Sequence, residues 1–566
     1  MTRPRIAVFA GGGATILNTM PLATSNKARE KYGLPPRAGR AGEAPRADVV
    51  RPQRLAAPVR VFIEQFSAHP LERDAADLYA PPDGYLDASG QLHEERQSAE
   101  DRPVYEVTLR PEDGLYMLPY MARQADGSAW DDDRAWPGAP RARTRQPYFP
   151  DASRLFEEID RFGLEEDGWN EPLGSRADFD FFRPAPSGGY TKGLAEAART
   201  DVGAGAIEAE TAGTDYFAYR PHDLRTEPPL SALARVTNTV QEALDSGRYG
   251  GAIWLEGSPF VEETSYWLNL LIDTPLPIVG NASHRPHGGL SNDGDGNIAD
   301  AVTYITSSIW RDDSGADRVG VVLVQDEMIL TAREAQKGDA RPGGFVVTGG
   351  HGGIVGTMGK PGPARLTFVP VRRHTRGSAV NLHRLPGAVE GLQRDESGRL
   401  RRVPVRVKDR DGRLLEAALP VVSIVKHARY NTPDRGGEAL AAIEIASRIA
   451  SNLTAAPLAG FVAEGGAPYG RLDAETEEAL RQAAFSGMPV VHVARGNAEG
   501  FVPAGRLEYG IGGNNLTATK ARMLLMASML SLGSLPPATD PLHPTPSEVA
   551  ATRAKLDAYQ RLFDEH

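Results

Sequence analysis

Residues 251–297 gather groups that can do chemistry: GAIWLEGSPFVEETSYWLNLLIDTPLPIVGNASHRPHGGLSNDGDGN. A carboxylate at Glu256 and a hydroxyl at Ser258 close an apolar run. The imidazoles of His284 and His287 and the carboxylate of Asp293 follow in a loop dense in Gly, Ser and Asn. The pattern reads as strand, glycine-bearing turn, amphipathic helix, second strand and polar loop. A polar loop beyond a buried parallel strand is where open α/β sheets place ligands. A metal fits these residues poorly. In His284-Arg285-Pro286-His287 the proline prevents a helix from presenting both imidazoles, which argues against zinc. Asn292-Asp293-Gly294-Asp295-Gly296 has the look of a calcium loop, but the bidentate glutamate such a loop needs is absent downstream. At the other end of the chain, Gly11-Gly12-Gly13 precedes Ala14, Thr15 and Ile16. No Lys-Ser/Thr pair follows, so these glycines are not a P-loop. Ile16 also breaks the dinucleotide-binding glycine pattern. Neither a cofactor nor a metal is expected.

The order of these residues resembles the L-asparaginase/glutaminase amidohydrolase family. Gly257-Ser258-Pro259-Phe260-Val261-Glu262-Glu263-Thr264 is similar to that family's Gly-Thr-Asp-Thr-x-Glu-Glu-Thr turn. His284-Arg285-Pro286 is similar to its Met-Arg-Pro, and Ser291-Asn292-Asp293-Gly294-Asp295-Gly296-Asn297 to its Ser-x-Asp-Gly-Pro-x-Asn run. Asp326-Glu327-Met328-Ile329-Leu330-Thr331-Ala332-Arg333-Glu334-Ala335-Gln336-Lys337 resembles Asp-Glu-Ile-x-x-Ala-Arg-x-x-x-Lys. Farther on, Leu516-Thr517-Ala518-Thr519-Lys520-Ala521-Arg522 resembles Leu-Thr-x-x-Lys-Ala-Arg. The matches cover about 206–360 and 418–535 plus the N-terminal strand and turn. Residues 30–205 and 370–415 have no counterpart.

The resemblance implies cleavage of a linear carboxamide to an acid and ammonia. Such a reaction needs a nucleophile, a base and donors for the oxyanion. Aligned with the family's Thr-Gly-Gly-Thr-Ile-Ala, Thr15 takes the nucleophile's place, and Gly13 ahead of it lets backbone approach a substrate closely. Lys337 takes the place of the family's buried lysine, where desolvation lowers an amine's pKa toward that of a base. Ser258, beside Gly257, keeps the turn's hydroxyl to bind water or the oxyanion. Pro259 and Phe260 replace the family's Asp and second Thr, and Glu256 is our candidate to supply the lost carboxylate from the same strand end. Asp293 and His351, the latter in Thr348-Gly349-Gly350-His351-Gly352-Gly353, are expected substrate contacts, although the Asp-Gly-x-x-Asn run serves first to shape a loop and cap the next helix. The altered turn points away from asparagine as the preferred substrate. A catalytically silent small-molecule-binding protein on the same scaffold is the alternative. The resemblance also implies a homodimer or homotetramer.

The elements that must position these groups are legible in the hydrophobic pattern. Arg5–Ala10 reads as a buried parallel strand. Helix and strand alternate from about residue 206: helix Leu230–Asp245, strand Gly251–Glu256, helix Glu262–Ile272, strand Pro277–Asn281, helix Asn297–Ser308 and strand Val319–Gln325. A second α/β unit runs through strands Pro420–Val425, Ala459–Ala463 and Pro489–Ala494 and a helix Thr517–Leu530 capped by Thr517, and a last helix covers about 546–563. Alternation of this kind implies parallel sheets flanked by helices. The expected architecture is therefore α/β, a two-domain asparaginase-like arrangement with an irregular inserted region. Its parts are an N-terminal α/β domain over 1–370 carrying an insertion at about 30–205, a linker with an added hairpin over 371–417, and a C-terminal α/β domain with a helical tail over 418–566.

Bulk composition narrows the function classes. A chain of 566 residues exceeds one hydrophobic core. The net charge of -11 argues against a nucleic-acid partner. With no cysteine, thiolate metal sites, disulfides and a cysteine nucleophile are all excluded. That composition fits a reducing cytoplasm, the expected location. No apolar run reaches the roughly 18 residues of a membrane span, so no membrane association is expected.

Overall fold

The structure, a computed structural model, describes residues 3–11, 15–17, 230–258, 260–347, 353–359, 363–395, 400–427, 440–467, 469–495 and 507–566, together with short segments between 23 and 182. Its main sheet has eight strands. Five run parallel, in the spatial order Asp178–Phe182, Arg5–Ala10, Gly251–Leu255, Ile278–Asn281 and Val322–Gln325. Met328–Thr331, Ile354–Thr357 and Arg365–Leu366 extend it antiparallel. None of the five parallel strands has an exposed residue, and four of them are mostly Val, Ile, Leu, Ala and Phe, because helices or loops cover both faces. The edge strand Asp178–Phe182 is the surprise. It lies in the region without family counterpart, yet it pairs with Arg5–Ala10 over five residues. Its Phe182 stacks on Phe9 at 5.0 Å, and buried Asp180 accepts from Arg5, Arg248 and Tyr249 at 2.8–2.9 Å. This region thus supplies part of the sheet itself, besides the separate antiparallel strands such as Val59–Ile63 and Arg102–Leu109.

Among the described strands of this sheet, Arg5–Ala10 is followed in the chain by the strand on one side of it. Gly251–Leu255 is followed by the strand on its other side. The connections therefore leave the carboxyl edge in opposite directions between these two strands, and that crevice is where α/β folds bind ligands. The helix Val261–Leu271 starts here. Gly257 O accepts the N–H groups of Phe260 and Val261, and Glu262 and Glu263 in the first turn complement the helix dipole. The same helix buries Tyr266, Trp267, Leu268, Leu270 and Leu271, each contributing about 1.5–3 kcal/mol of apolar burial.

A second parallel sheet comprises Val421–Lys426, Ala459–Gly465, Val490–Ala494 and Ile511–Gly512. The helix Ala518–Leu532 packs on it and also against Val261–Leu271, joining the two sheets through one apolar core. Thr517 caps that helix by accepting the Lys520 N–H at 3.3 Å. The hairpin Ala388–Arg394/Leu400–Arg406 is paired in register, and the last helix is Pro546–Glu565 with a full Thr545–Glu548 capping box. No helix among the described residues is long and apolar enough to cross a membrane.

Candidate active site

The carboxyl edge of the main sheet brings most of the expected groups together. Gly11 N donates to Leu255 O at 2.7 Å, so the chain leaves the first strand against the end of its neighbour. A Cβ on Gly11 would lie 2.9 Å from Trp254 and 3.0 Å from the Glu256 side chain, so only glycine fits without displacing either. Four residues on, Thr15 opens a short 3-10 turn and is half-buried. The adjacent Ile16 is buried, and its side chain packs where Gly294 and Ser283 meet. The turn bearing Thr15 therefore borders the polar loop 283–294.

Glu256 lies beside Gly11, where the chain leaves the first strand. Trp254 Nε1 donates to its carboxylate at 2.8 Å, and the Thr264 hydroxyl bonds it as well. Burial nevertheless dominates and pushes its pKa up to about 7, so near neutrality the carboxyl is partly protonated. Ser258, also buried, places Oγ 3.2 Å from His284 Nδ1. Burial and the positive charge of Lys337 hold the His284 imidazole below its ordinary pKa, so it is neutral at pH 7 and one ring nitrogen accepts.

Asp293 does not cap the helix Gly294–Ser307, contrary to the expectation for the Asp-Gly-x-x-Asn run. Its carboxylate accepts the backbone N–H groups of His284 and Arg285 at 3.0–3.1 Å and pins the loop that carries His284. Asn297 closes the loop's far side, donating to Ala282 O at 2.9 Å and accepting the Asp326 N–H at 2.9 Å.

Lys337 ends the strand Ala335–Lys337. Its backbone N–H donates to the Glu262 carboxylate at 2.5 Å. Its ammonium reaches Arg341 O at 3.0 Å and lies 4.6 Å from the centre of the Phe345 ring. Lys337 is half-buried rather than enclosed. Desolvation lowers its pKa, while Asp293 and Asp339 oppose the change. The fully buried lysine is Lys520, which the sequence reading did not single out. Its Nζ donates to the backbone carbonyls of Glu262 and Ala332, and burial pushes its pKa down to about 8. Lys520 thus holds the segment after Ser258 and the segment before Lys337 to one point. The signal was present in the sequence: a lysine in the first turn of a helix whose remaining turns are largely apolar. Gly13, Pro259 and His351 lie outside the described residues. No cluster of His, Asp and Glu able to hold a metal occurs among those described.

Residues 229–349, which contain this turn, loop and strand, match the family model of the asparaginase N-terminal domain. That segment of the chain is similar to asparaginases and glutaminase-asparaginases. The chain is 32% identical over 172 residues to a glutaminase-asparaginase of Acinetobacter glutaminasificans, covering 30% of this chain and 47% of that protein. Identity to an L-asparaginase of Bacillus licheniformis is 34% over 125 residues, 22% of this chain and 37% of that protein. The chain spans about half or less of the length of these curated relatives. A solved structure described as a probable cytoplasmic L-asparaginase from Campylobacter jejuni aligns with TM-score 0.42 and 18% identity, over 59% of this chain and 86% of that one. The asparaginase-like segment thus coincides with the elements that form the carboxyl-edge crevice.

Proposed function

We propose that the chain hydrolyses a linear carboxamide to the carboxylic acid and ammonia, with Thr15 as nucleophile. The observation that supports this reading is the grouping of Ser258, His284, Asp293 and Lys337 around one loop beyond the sheet edge, inside the segment that matches the asparaginase model. The similar proteins named above are glutaminase-asparaginases and L-asparaginases, which favours hydrolysis over silent binding.

In this reading the Thr15 hydroxyl attacks the amide carbon and its proton passes to the neutral amine of Lys337. Ser258 and nearby backbone N–H groups hold the oxyanion. As the C–N bond breaks, Lys337 returns the proton to the departing nitrogen, which leaves as ammonia. The remaining acyl–threonine ester is then hydrolysed by water. Glu256, neutral through part of the physiological range, donates a hydrogen bond toward the crevice or withholds a charge from it as pH changes. Pro259 leaves no side-chain carboxylate at that position of the turn for a substrate α-amino group, so asparagine is a poor substrate and amides lacking that group are better ones. The protein acts within the cytoplasm as a homodimer or homotetramer, without cofactor, metal or nucleic acid.

The absence of any native cysteine permits a clean test. Ammonia release is measured from a panel of linear amides with the wild-type protein, Lys337→Met and Lys337→Cys. The last is then alkylated with bromoethylamine, which rebuilds a lysine-like amine. Activity lost in both variants and restored by alkylation supports the assignment. Wild-type rates in Lys337→Met would remove Lys337 from the mechanism.

A further inference from the structure

We propose that His284 takes up a proton through Ser258, and that this hydroxyl–imidazole pair activates the water that hydrolyses the acyl–Thr15 ester. The inference rests on the amidohydrolase reading and adds a residue that the family pattern does not supply, since His284 stands where that pattern has Met.

Geometry carries the argument. Ser258 is buried at the end of the strand Gly251–Leu255, and its Oγ lies 3.2 Å from His284 Nδ1. That is hydrogen-bond reach for an apo site, where catalytic contacts run long. The imidazole is not free to turn at random. Its backbone N–H and that of Arg285 are both held by the Asp293 carboxylate, which fixes the loop at this point. The charged groups that face the ring are Lys337, Arg285, Asp293 and Asp339. The two cations and burial lower its pKa and the two carboxylates raise it, with burial the largest cause. The ring is therefore neutral at pH 7. For Nδ1 to accept the Ser258 proton, the hydrogen must be on Nε2.

The step balances without a further reactant. Water attacks the ester carbonyl and gives a proton to Ser258 Oγ, while the Ser258 proton moves to His284 Nδ1. The C–O bond to Thr15 breaks. The proton returns from His284 through Ser258 to the Thr15 oxygen, and the carboxylic acid departs. Lys337 serves the first half of the reaction and His284 the second, so the two bases do not compete for one proton.

The test separates the halves. For His284→Gln, the first turnover of ammonia proceeds at the wild-type rate. Steady-state release then falls about 100-fold, the low end of what a general base contributes, and the ester accumulates as a mass increment on the peptide containing Thr15. Ser258→Ala loses the same relay and an oxyanion donor as well, so its first turnover slows too and its later turnovers fall further. Steady-state rates within threefold of wild type for His284→Gln would overturn the proposal, as would equal loss of the first and later turnovers. A second arm does not depend on turnover. In protein labelled with ¹⁵N-histidine, His284 is expected to be the Nε2–H tautomer at pH 7, with its pKa below 6.5. The pKa should rise in Lys337→Met, and the Nδ1 shift should move in Ser258→Ala. An Nδ1–H tautomer or an imidazolium at pH 7 refutes the pair even in active protein. Wild-type protein that releases no ammonia from any amide refutes the hydrolase reading, and the spectra then decide the pair alone.

Discussion

Replacing Glu256 by Gln should make the protein more stable and less active, and the size of the first effect follows from the site. Glu256 is buried beside Gly11, and burial moves its pKa from 4.5 to about 7. Each tenfold change in acidity constant corresponds to about 1.4 kcal/mol, so ionising this carboxyl in place costs about 3 kcal/mol relative to the unfolded chain. The folded-state pKa is the higher one. The stability associated with the neutral acid is therefore fully present below pH 4.5 and is lost as pH rises through 7. Glu256→Gln keeps an oxygen to accept from Trp254 Nε1 and has no proton to lose. Urea unfolding of both proteins at pH 4.5 and pH 8.5 measures the difference. The variant should match wild type at the lower pH and exceed it by about 3 kcal/mol at the higher, an upper value because other groups relax. Ammonia release should fall, since a strained group at a working site exchanges stability for activity. Equal stabilities at pH 8.5 would refute the burial argument, and an undiminished rate would remove Glu256 from the site.

Three further perturbations probe the scaffold. Lys520→Met leaves the carbonyls of Glu262 and Ala332 without their buried donor, so unfolding free energy should drop by about 3 kcal/mol in urea titration; an unchanged midpoint contradicts the strut. Thr517→Ala removes the cap on the helix Ala518–Leu532 and should cost about 1 kcal/mol by the same measurement, with no loss counting against it. Asp180→Asn weakens the buried acceptor of Arg5, Arg248 and Tyr249 and should lower stability by about 2 kcal/mol. Amide exchange that stays unchanged over Asp178–Phe182 would show that the edge strand does not depend on it.

The parallel strands were legible because each is a short apolar run bounded by glycine or polar residues. Arg5–Ala10, Gly251–Leu255 and Val490–Ala494 fall within a residue of expectation. Asp178–Phe182 was not legible. Its alternation of Asp and Phe suits a strand, but nothing local reveals that it pairs with a segment some 170 residues earlier. The site divides in the same way. Glycines 11 and 257 and the Lys337 spacing are local patterns. The Ser258–His284 contact depends on two strands ending side by side, and the enclosure of Lys520 depends on helix packing between the sheets. Asp293 shapes its loop as expected but does not cap the helix, because two loop N–H groups claim the carboxylate that would ordinarily serve as the cap.

The most direct measurement is to mix the protein with a linear amide that yields ammonia, quench in acid within the first turnover, and map the covalent product by peptide mass. The account predicts an acyl ester on Thr15, absent from Thr15→Ala, which also releases no ammonia. Ammonia formed with no adduct on Thr15, or formed equally by Thr15→Ala, would contradict it.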